Sequence, residues 1–255
     1  MKLQFKEQQF QVDAVNAIVD CFQGQEKGGG HFTLERSKQL MQKAKQAAAG
    51  INTLQFTEEV NENIGYRNKL LKITDSQLLQ NIQKVQQQND IRESEFLEKP
   101  KVQKKGINLT IEMETGTGKT YTYIRTMYEL HEQYGWSKFI IIVPSVAIRE
   151  GVYKSFEVTQ THFQEKYGHK INPFIYNSSK PTDIENFASD SRISVMIINT
   201  QAFNARGKDA RRIYAEIDSF QSRRPIDIIA QTNPILIIDE PQSVDGVKTL
   251  ASMQD

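Results

Sequence analysis

Apolar positions along this chain change rhythm several times, and the changes divide it into elements. Ala14, Val15, Ile18, Val19 and Phe22 recur at helical spacing and predict an amphipathic helix over 10–22. Ile107, Leu109, Ile111 and Met113 alternate with Asn108, Thr110 and Glu112, the rhythm of a strand. The run from Tyr121 to Tyr134 reads as a helix. Lys138 to Val143 is a short apolar run stopped by Pro144, which predicts a buried strand. Ser145 is placed to cap a helix running to about Tyr167. Asn172 to Tyr176, Ile193 to Ile198 and Ile235 to Ile238 read as three more strands. Strands alternating with helices predict an α/β fold, a mostly parallel sheet with helices on both faces. No internal repeat is evident.

The stretch from Gly28-Gly29-Gly30 to about Lys105 breaks this order. Lys and Gln dominate it, and Ser76 to Asn89 holds six glutamines. Leu78, Ile82 and Val85 give a thin helical stripe, as do Leu40, Ala44 and Ala47. One reading is one or two amphipathic helices; the other is a loosely ordered excursion. Lys99, Lys101, Lys104 and Lys105 close the stretch, as a solvated face or as contacts to a nucleic-acid backbone.

Two motifs carry chemistry. Glu114-Thr115-Gly116-Thr117-Gly118-Lys119-Thr120 sits between the predicted strand at 107–113 and the predicted helix at 121–134. Strand, glycine loop, Lys-Thr and helix is the context of a phosphate-binding loop. Glycines let backbone N–H groups curl around phosphate oxygens, and the helix points its positive end at them. Lys119 is then the residue for the β- and γ-phosphates, and the Thr120 hydroxyl a ligand for Mg²⁺. The pattern usually opens on Gly or Ala, where this chain has Met113. Far downstream, Ile235-Leu236-Ile237-Ile238 ends in Asp239-Glu240. A buried parallel strand would deliver both carboxylates to the sheet's C-terminal edge, where ligands bind in open α/β sheets. Asp239 suits holding the metal through water, and Glu240 suits orienting and deprotonating an attacking water. ATP and Mg²⁺ are the expected ligands. Gln11, just ahead of the first helical stripe, carries an amide that can read an adenine edge. The expected division is 1–27, an N-terminal helix with the glutamine; 28–105, a polar helical insertion; and 106–255, the nucleotide domain.

Composition changes this picture little. The chain has 255 residues, 25% of them charged, and a formal net charge of +1. That balance gives no reason to expect nucleic acid, so any DNA contact must come from local patches. Arg206, Lys208, Arg211, Arg212, Arg223 and Arg224 form one, mixed with acids. The single cysteine, Cys21, excludes an internal disulfide and reads as a small core residue. Four histidines are scattered without metal-ligand spacing. No apolar run has the length of a membrane span, so no membrane partner is expected, and a cytoplasmic location fits.

Four segments occur in order: Phe-Gln-Val-Asp-Ala-Val, Met-Glu-Thr-Gly-Thr-Gly-Lys-Thr, Val-Pro-Ser-Val-Ala-Ile-Arg-Glu-Gly and Ile-Asp-Glu-Pro-Gln. Together they resemble the first RecA-like domain of a superfamily-two helicase. More narrowly, Asp-Glu-Pro-Gln resembles the restriction (Res) subunit of type III restriction–modification enzymes. The resemblance implies an ATP-driven motor that acts on duplex DNA with a modification subunit, within an endonuclease. It implies an adenine role for Gln11 and a phosphate cradle from Thr115, Gly116, Thr117 and Gly118. Lys119, Thr120, Asp239 and Glu240 match the catalytic and metal positions. Pro144, Ser145 and Arg149 fall in a motif that grips a DNA strand, and Thr200 falls near the next. Gln242 matches the position that communicates with the second domain. The family's later motifs, second RecA-like domain and nuclease domain do not occur in this sequence. The resemblance therefore implies a truncated amino-terminal portion with an open slot beside the Asp-Glu strand. The alternatives are an inactive nucleotide-binding module, or the motor of another superfamily-two enzyme such as a type I restriction system. An unrelated P-loop kinase is the remaining reading.

Overall fold

A computed structural model describes residues 5–34, 64–99, 106–203, 213–214 and 223–241. The chain starts with helix α1 (Gln9–Asp20) and continues into strands β1 (Gly29–Thr33) and β2 (Ile64–Asn68). Helices α2 (Asp75–Gln88) and α3 (Lys119–Tyr134) follow, then strand β3 (Lys138–Val143) and helix α4 (Val146–Tyr167). Strand β4 (Asn172–Ile175), helix α5 (Thr182–Ser189) and strand β5 (Ser194–Asn199) come next. A 3₁₀ turn (Thr200–Phe203), helix α6 (Pro225–Gln231) and strand β6 (Ile235–Ile238) complete the described order.

Strands β4, β5, β3 and β6 lie side by side in that order, and every pairing is parallel. All six residues of β3 are buried, because it has a neighbour on each edge and helices on each face. Side chains alternate between the faces. Phe139, Ile141 and Val143 pack with Val15 of α1, Met127 of α3 and Phe156 of α4. Ile140 and Ile142 pack with Ile184 and Phe187 of α5 and Ile228 of α6. The expected α/β architecture is what forms.

The predicted strand at 107–113 does not. Its residues join no ladder among the described residues. Leu109 stays 40% exposed and Ile111 46%. A strand needs a neighbour to satisfy its backbone, and the edge of β6 away from β3 is not paired with it. For the same reason β6 is half-buried rather than buried as expected. The slot implied by the resemblance needs a strand on its far side, and among the described residues none forms at 107–113; what is present is one edge of β6 without a partner strand.

The polar stretch holds more than helix. Strands β1 and β2 form an antiparallel pair that its composition does not signal. Helix α2 matches the Leu78, Ile82 and Val85 stripe, capped by Thr74, whose hydroxyl accepts from the Gln77 amide at 3.2 Å. Leu78 and Ile82 pack on Cys21, and burial pushes that thiol up to about 11. The second stripe, Leu40 to Ala47, lies outside the described residues. So do Lys101, Lys104 and Lys105, while Lys99 pairs with Asp75.

Asn68 binds this stretch to the sheet. Its Nδ2 donates to the Lys138 carbonyl at 2.7 Å, and its Oδ1 accepts from the Ser137 and Lys138 amides at 2.7 and 2.9 Å. Its own amide donates to the Thr232 carbonyl at 3.0 Å, and its carbonyl accepts from Asn233 Nδ2 at 3.2 Å. One buried residue therefore caps the start of β3 with its side chain and touches the turn into β6 with its backbone. Asn68→Ala leaves two buried amides and a carbonyl without partners. The expected loss is on the order of 3 kcal/mol, read from the urea midpoint. A loss under about 0.5 kcal/mol would show that the pin is dispensable.

Lys138, wholly buried at the start of β3, donates its ammonium to the Phe187 carbonyl at 2.6 Å and to the Asp190 carbonyl. Burial pulls its pKa down from 10.5 to about 8. The unfolded chain then binds more protons between pH 8 and 10.5, so this lysine adds stability as pH rises through that window. Compared with Lys138→Met, the native chain should gain on the order of 2 kcal/mol between pH 8 and pH 10. Parallel unfolding curves at the two pH values measure this; a constant difference between the proteins contradicts it.

Candidate nucleotide site

The parallel register decides which residues meet. Ile142 of β3 lies opposite Ile198 of β5 and Ile238 of β6. All three strands therefore finish at one level of one edge. Pro144 and Ser145 follow β3, Thr200 follows β5, and Asp239 and Glu240 follow β6 at that edge. The Asp239 amide extends the ladder by one bond, donating to the Ile142 carbonyl at 2.9 Å.

The glycine loop ends where α3 begins. Gly118 precedes the helix with φ 90° and ψ 37°, a left-handed conformation that glycine adopts without strain. A Cβ there would sit 2.5 Å from Gln11 Nε2. Gly118 also has no side chain to cap the first turn, so the leading N–H groups of α3 remain available to an anion. Thr117 folds its hydroxyl back onto the Glu114 carbonyl at 2.6 Å. Gln11, on α1, donates its amide to the Thr117 carbonyl at 2.9 Å. The structure thus joins Gln11 to the loop through the loop's backbone.

Lys119 and Thr120 form the first turn of α3, and the Lys119 charge acts on Asp239 at the end of β6. Asp239 is half-buried, and burial raises its pKa; the Glu240 charge beside it adds to the rise, and Lys119 opposes it. Lys119, Asp239 and Glu240 therefore share one electrostatic neighbourhood. Glu240 is exposed and sits at φ 53°. That left-handed backbone costs a non-glycine residue about 1 kcal/mol or more. The adjacent carboxylates have different surroundings, one screened by the fold and one open to water, which is how paired acids acquire different tasks.

The donor set fits a magnesium nucleotide. Thr120 and Asp239 offer oxygen, which a hard cation prefers. Lys119 and the free N–H groups suit phosphate. A third oxygen lies here that the motifs do not announce. The Tyr123 hydroxyl is buried without a hydrogen bond of normal geometry, and Thr120 and Asp239 both act on it. Helical spacing is the signal that could have found it, since Tyr123 is three residues past Thr120.

The other expected residues are placed less tightly. The Ser145 hydroxyl accepts from the Ile148 amide at 3.3 Å as the cap of α4. Arg149 pairs with Glu150 at 3.0 Å. Arg223 pairs with Glu185 at 3.1 Å and Arg224 with Asp227 at 2.8 Å. Arg206, Lys208, Arg211, Arg212 and Gln242 lie outside the described residues. No helix among the described residues is long and apolar enough to cross a membrane.

A parallel sheet, a glycine loop at a helix start and an Asp-Glu pair at the same edge define a RecA-like P-loop domain of the helicase class. The chain belongs to the Res-subunit family of type III restriction enzymes, whose model matches residues 75–241. It is 30% identical over 244 residues to the EcoP15I Res subunit of Escherichia coli, covering 88% of this chain and 24% of that protein. It is 30% identical over 220 residues to the EcoPI Res subunit of Escherichia phage P1, covering 78% and 22%. A match of 34% over 152 residues joins it to the StyLTI Res subunit of Salmonella typhimurium, covering 52% and 15%. The chain spans about a quarter of the length of the first two relatives.

The tether between α1 and the loop has a measurable consequence. Gln11→Ala removes one side-chain bond to a loop carbonyl. Global stability should fall by only about 1 kcal/mol. Amide exchange across 114–118 should rise well beyond that seen in the β3 ladder. Uniform acceleration everywhere would instead mean that the tether matters only to overall stability.

Proposed function

We propose that this chain is the ATP-binding part of a restriction-subunit motor. It takes ATP with Mg²⁺ at the edge where Lys119 and Thr120 meet Asp239 and Glu240. That convergence, from segments more than a hundred residues apart in sequence, is the observation that carries the reading. Thr115 to Gly118 and the first turn of α3 cradle the phosphates. Lys119 neutralises them, and Thr120 and Asp239 hold the magnesium ion. When bound, the ion would supply charge neutralisation at the phosphate oxygens. Glu240, open to solvent, takes a proton from the attacking water. Gln11 reads the adenine while bracing the loop.

In the complete enzyme, hydrolysis drives movement along or switching on duplex DNA, with cleavage by the full assembly. A modification subunit is the partner that reads the recognition sequence. Pro144, Ser145, Arg149 and Thr200 stand at the sheet edge as contacts to a DNA strand, and Gln242 as the link to a second domain. Residues 28–105 are a polar insertion ahead of the nucleotide domain from 106 onward. The location is cytoplasmic.

A second reading has one observation in its favour. Among the described residues, the segment leading into the loop joins no strand ladder, and β6 is paired along one edge. On that reading the chain holds nucleotide without turning it over. ATP turnover with and without duplex DNA, beside Lys119→Ala and Glu240→Gln, separates the two. The motor reading expects turnover that rises with DNA and vanishes in both variants, with nucleotide binding kept by Glu240→Gln alone. Binding without turnover in the native chain leaves the second reading. Turnover untouched by either substitution removes both.

A further inference from the structure

We infer that Glu7 is a positioning residue for Gln11: clasped by Arg125 and Lys166, it fixes the start of α1 so that the Gln11 amide meets the glycine loop. The inference rests on the nucleotide reading above and deepens it.

The start of α1 has little of its own to hold it. Gln8 precedes the helix without a side-chain cap, and the first turn carries no acidic residue. The core packing of α1 lies further along, through Val15 and Val19. Gln11 stands in the first turn, where its backbone amide and that of Val12 donate to the Gln8 carbonyl at 3.1 and 3.2 Å. The place of Gln11 therefore depends on where the chain at 7–8 is held.

Glu7 supplies the hold. Its Oε2 accepts from Lys166 Nζ of α4 at 2.6 Å and lies 3.3 Å from Arg125 Nη1 of α3. Its Oε1 accepts from Arg125 Nη2 at 3.5 Å. Arg125 is only 5% exposed. The other carboxylate paired with it among the described residues, Glu129, stands 4.0 Å from Nε and is shared with the Tyr167 hydroxyl, which donates to it at 2.6 Å. A buried guanidinium without a counter-charge is costly, so Arg125 draws Glu7 in and keeps it there. The Lys166 bond above all holds the Glu7 carboxyl below the usual carboxylate range, so it stays charged at neutral pH.

The same segment touches α3 at successive levels. The Phe5 ring lies 6.0 Å from that of Tyr121 and 5.2 Å from that of His162, centroid to centroid. The Tyr121 hydroxyl and His162 Nε2 are 2.9 Å apart, which ties that level to α4. Gln11 reaches the Thr117 carbonyl just ahead of α3, Phe5 meets Tyr121 in its first turn, and Glu7 meets Arg125 one turn further on. Residues 5–11 therefore clasp the start of α3, and the glycine loop is the last thing they hold. The lead-in at 107–113 joins no ladder among the described residues, so this lateral hold is what a change at Glu7 releases.

The test begins without nucleotide. Amide exchange is followed across 114–118 and across β3 in the native chain, Glu7→Gln, Gln11→Ala and the double variant, with urea midpoints as the check on folding. Glu7→Gln should accelerate exchange across 114–118 about fivefold and leave the β3 ladder within about twofold of native. In the Gln11→Ala background the same substitution should add nothing, because it acts through Gln11. Lys166→Met, which loosens the clasp and leaves Arg125 paired, should show the same pattern at smaller size. A fluorescent ATP analogue and its GTP counterpart are then titrated into each protein with Mg²⁺. The preference for ATP should narrow about fivefold in Gln11→Ala and in Glu7→Gln alike.

Unchanged loop exchange in Glu7→Gln, or an effect that adds to that of Gln11→Ala, overturns the inference and leaves the nucleotide site standing. So does a rise shared equally by the β3 ladder, which makes the clasp a matter of overall stability. A preference that narrows in Gln11→Ala and not in Glu7→Gln has the same consequence. An unchanged preference in Gln11→Ala, with loop exchange raised in both variants, overturns the adenine reading and leaves the clasp.

Discussion

Everything at the candidate site hangs on the parallel pairing of β3 with both of its neighbours. The pairing runs Ser194 to Asn199 on one side and Ile235 to Ile238 on the other, opposite overlapping stretches of the same strand. A parallel ladder fixes direction as well as distance. Three strands that run the same way and stop at the same level must open their following turns onto one edge. A shift by one residue would turn every side chain of β6 to the other face. Ile235 and Ile237 would leave one core and Leu236 and Ile238 the other. Asp239 would then leave its place opposite the end of β3. The apolar alternation that holds the sheet is thus the same feature that aims the carboxylates.

The opposite end of β3 shows how that register is defended. Lys138 and Ser137 begin the strand on bonds from Asn68, and Asn68 also reaches Thr232 and Asn233 just ahead of β6. Strands far apart in sequence are therefore indexed by one residue, through its side chain at β3 and its backbone ahead of β6. Tyr134, the last residue of α3, and Trp136, just ahead of β3, bond back to the Val19 and Lys69 carbonyls. The segment that looks like a polar interruption is part of what keeps the site in register.

Much of this was legible in the sequence, for identifiable reasons. The runs at 138–143, 193–198 and 235–238 are continuous and apolar because their strands lie between two helical layers. The glycine loop and the Asp-Glu pair are legible because each is a distinctive group of residues standing at the end of an apolar run. What could not be read depends on partners remote in sequence. Alternation at 107–113 is a real pattern, but pattern alone does not provide a neighbouring strand. The β1–β2 pair spans glycines and charged residues, whose composition signals a break. Asn68 gives no local sign at all, since its importance lies in five bonds to residues 69 or more positions away. Tyr123 was hidden differently, behind an aromatic ring that fits the core equally well as a packing residue.

The two halves of the site are supported unequally. The α3 half rests on the best packed part of the molecule, with Ile124 and Met127 wholly enclosed. The carboxylate half ends a strand with one neighbour, and the loop's own lead-in has none among the described residues. A phosphate loop is ordinarily steadied by the strand behind it. Here the Gln11 amide, fixed by the packing of α1 on α3, holds the loop from the side at the Thr117 carbonyl. The energy that shapes the loop therefore comes through a helix at the start of the chain, not through the sheet. The order of the glycine loop and the packing of α1 on α3 are thereby coupled through a single side chain.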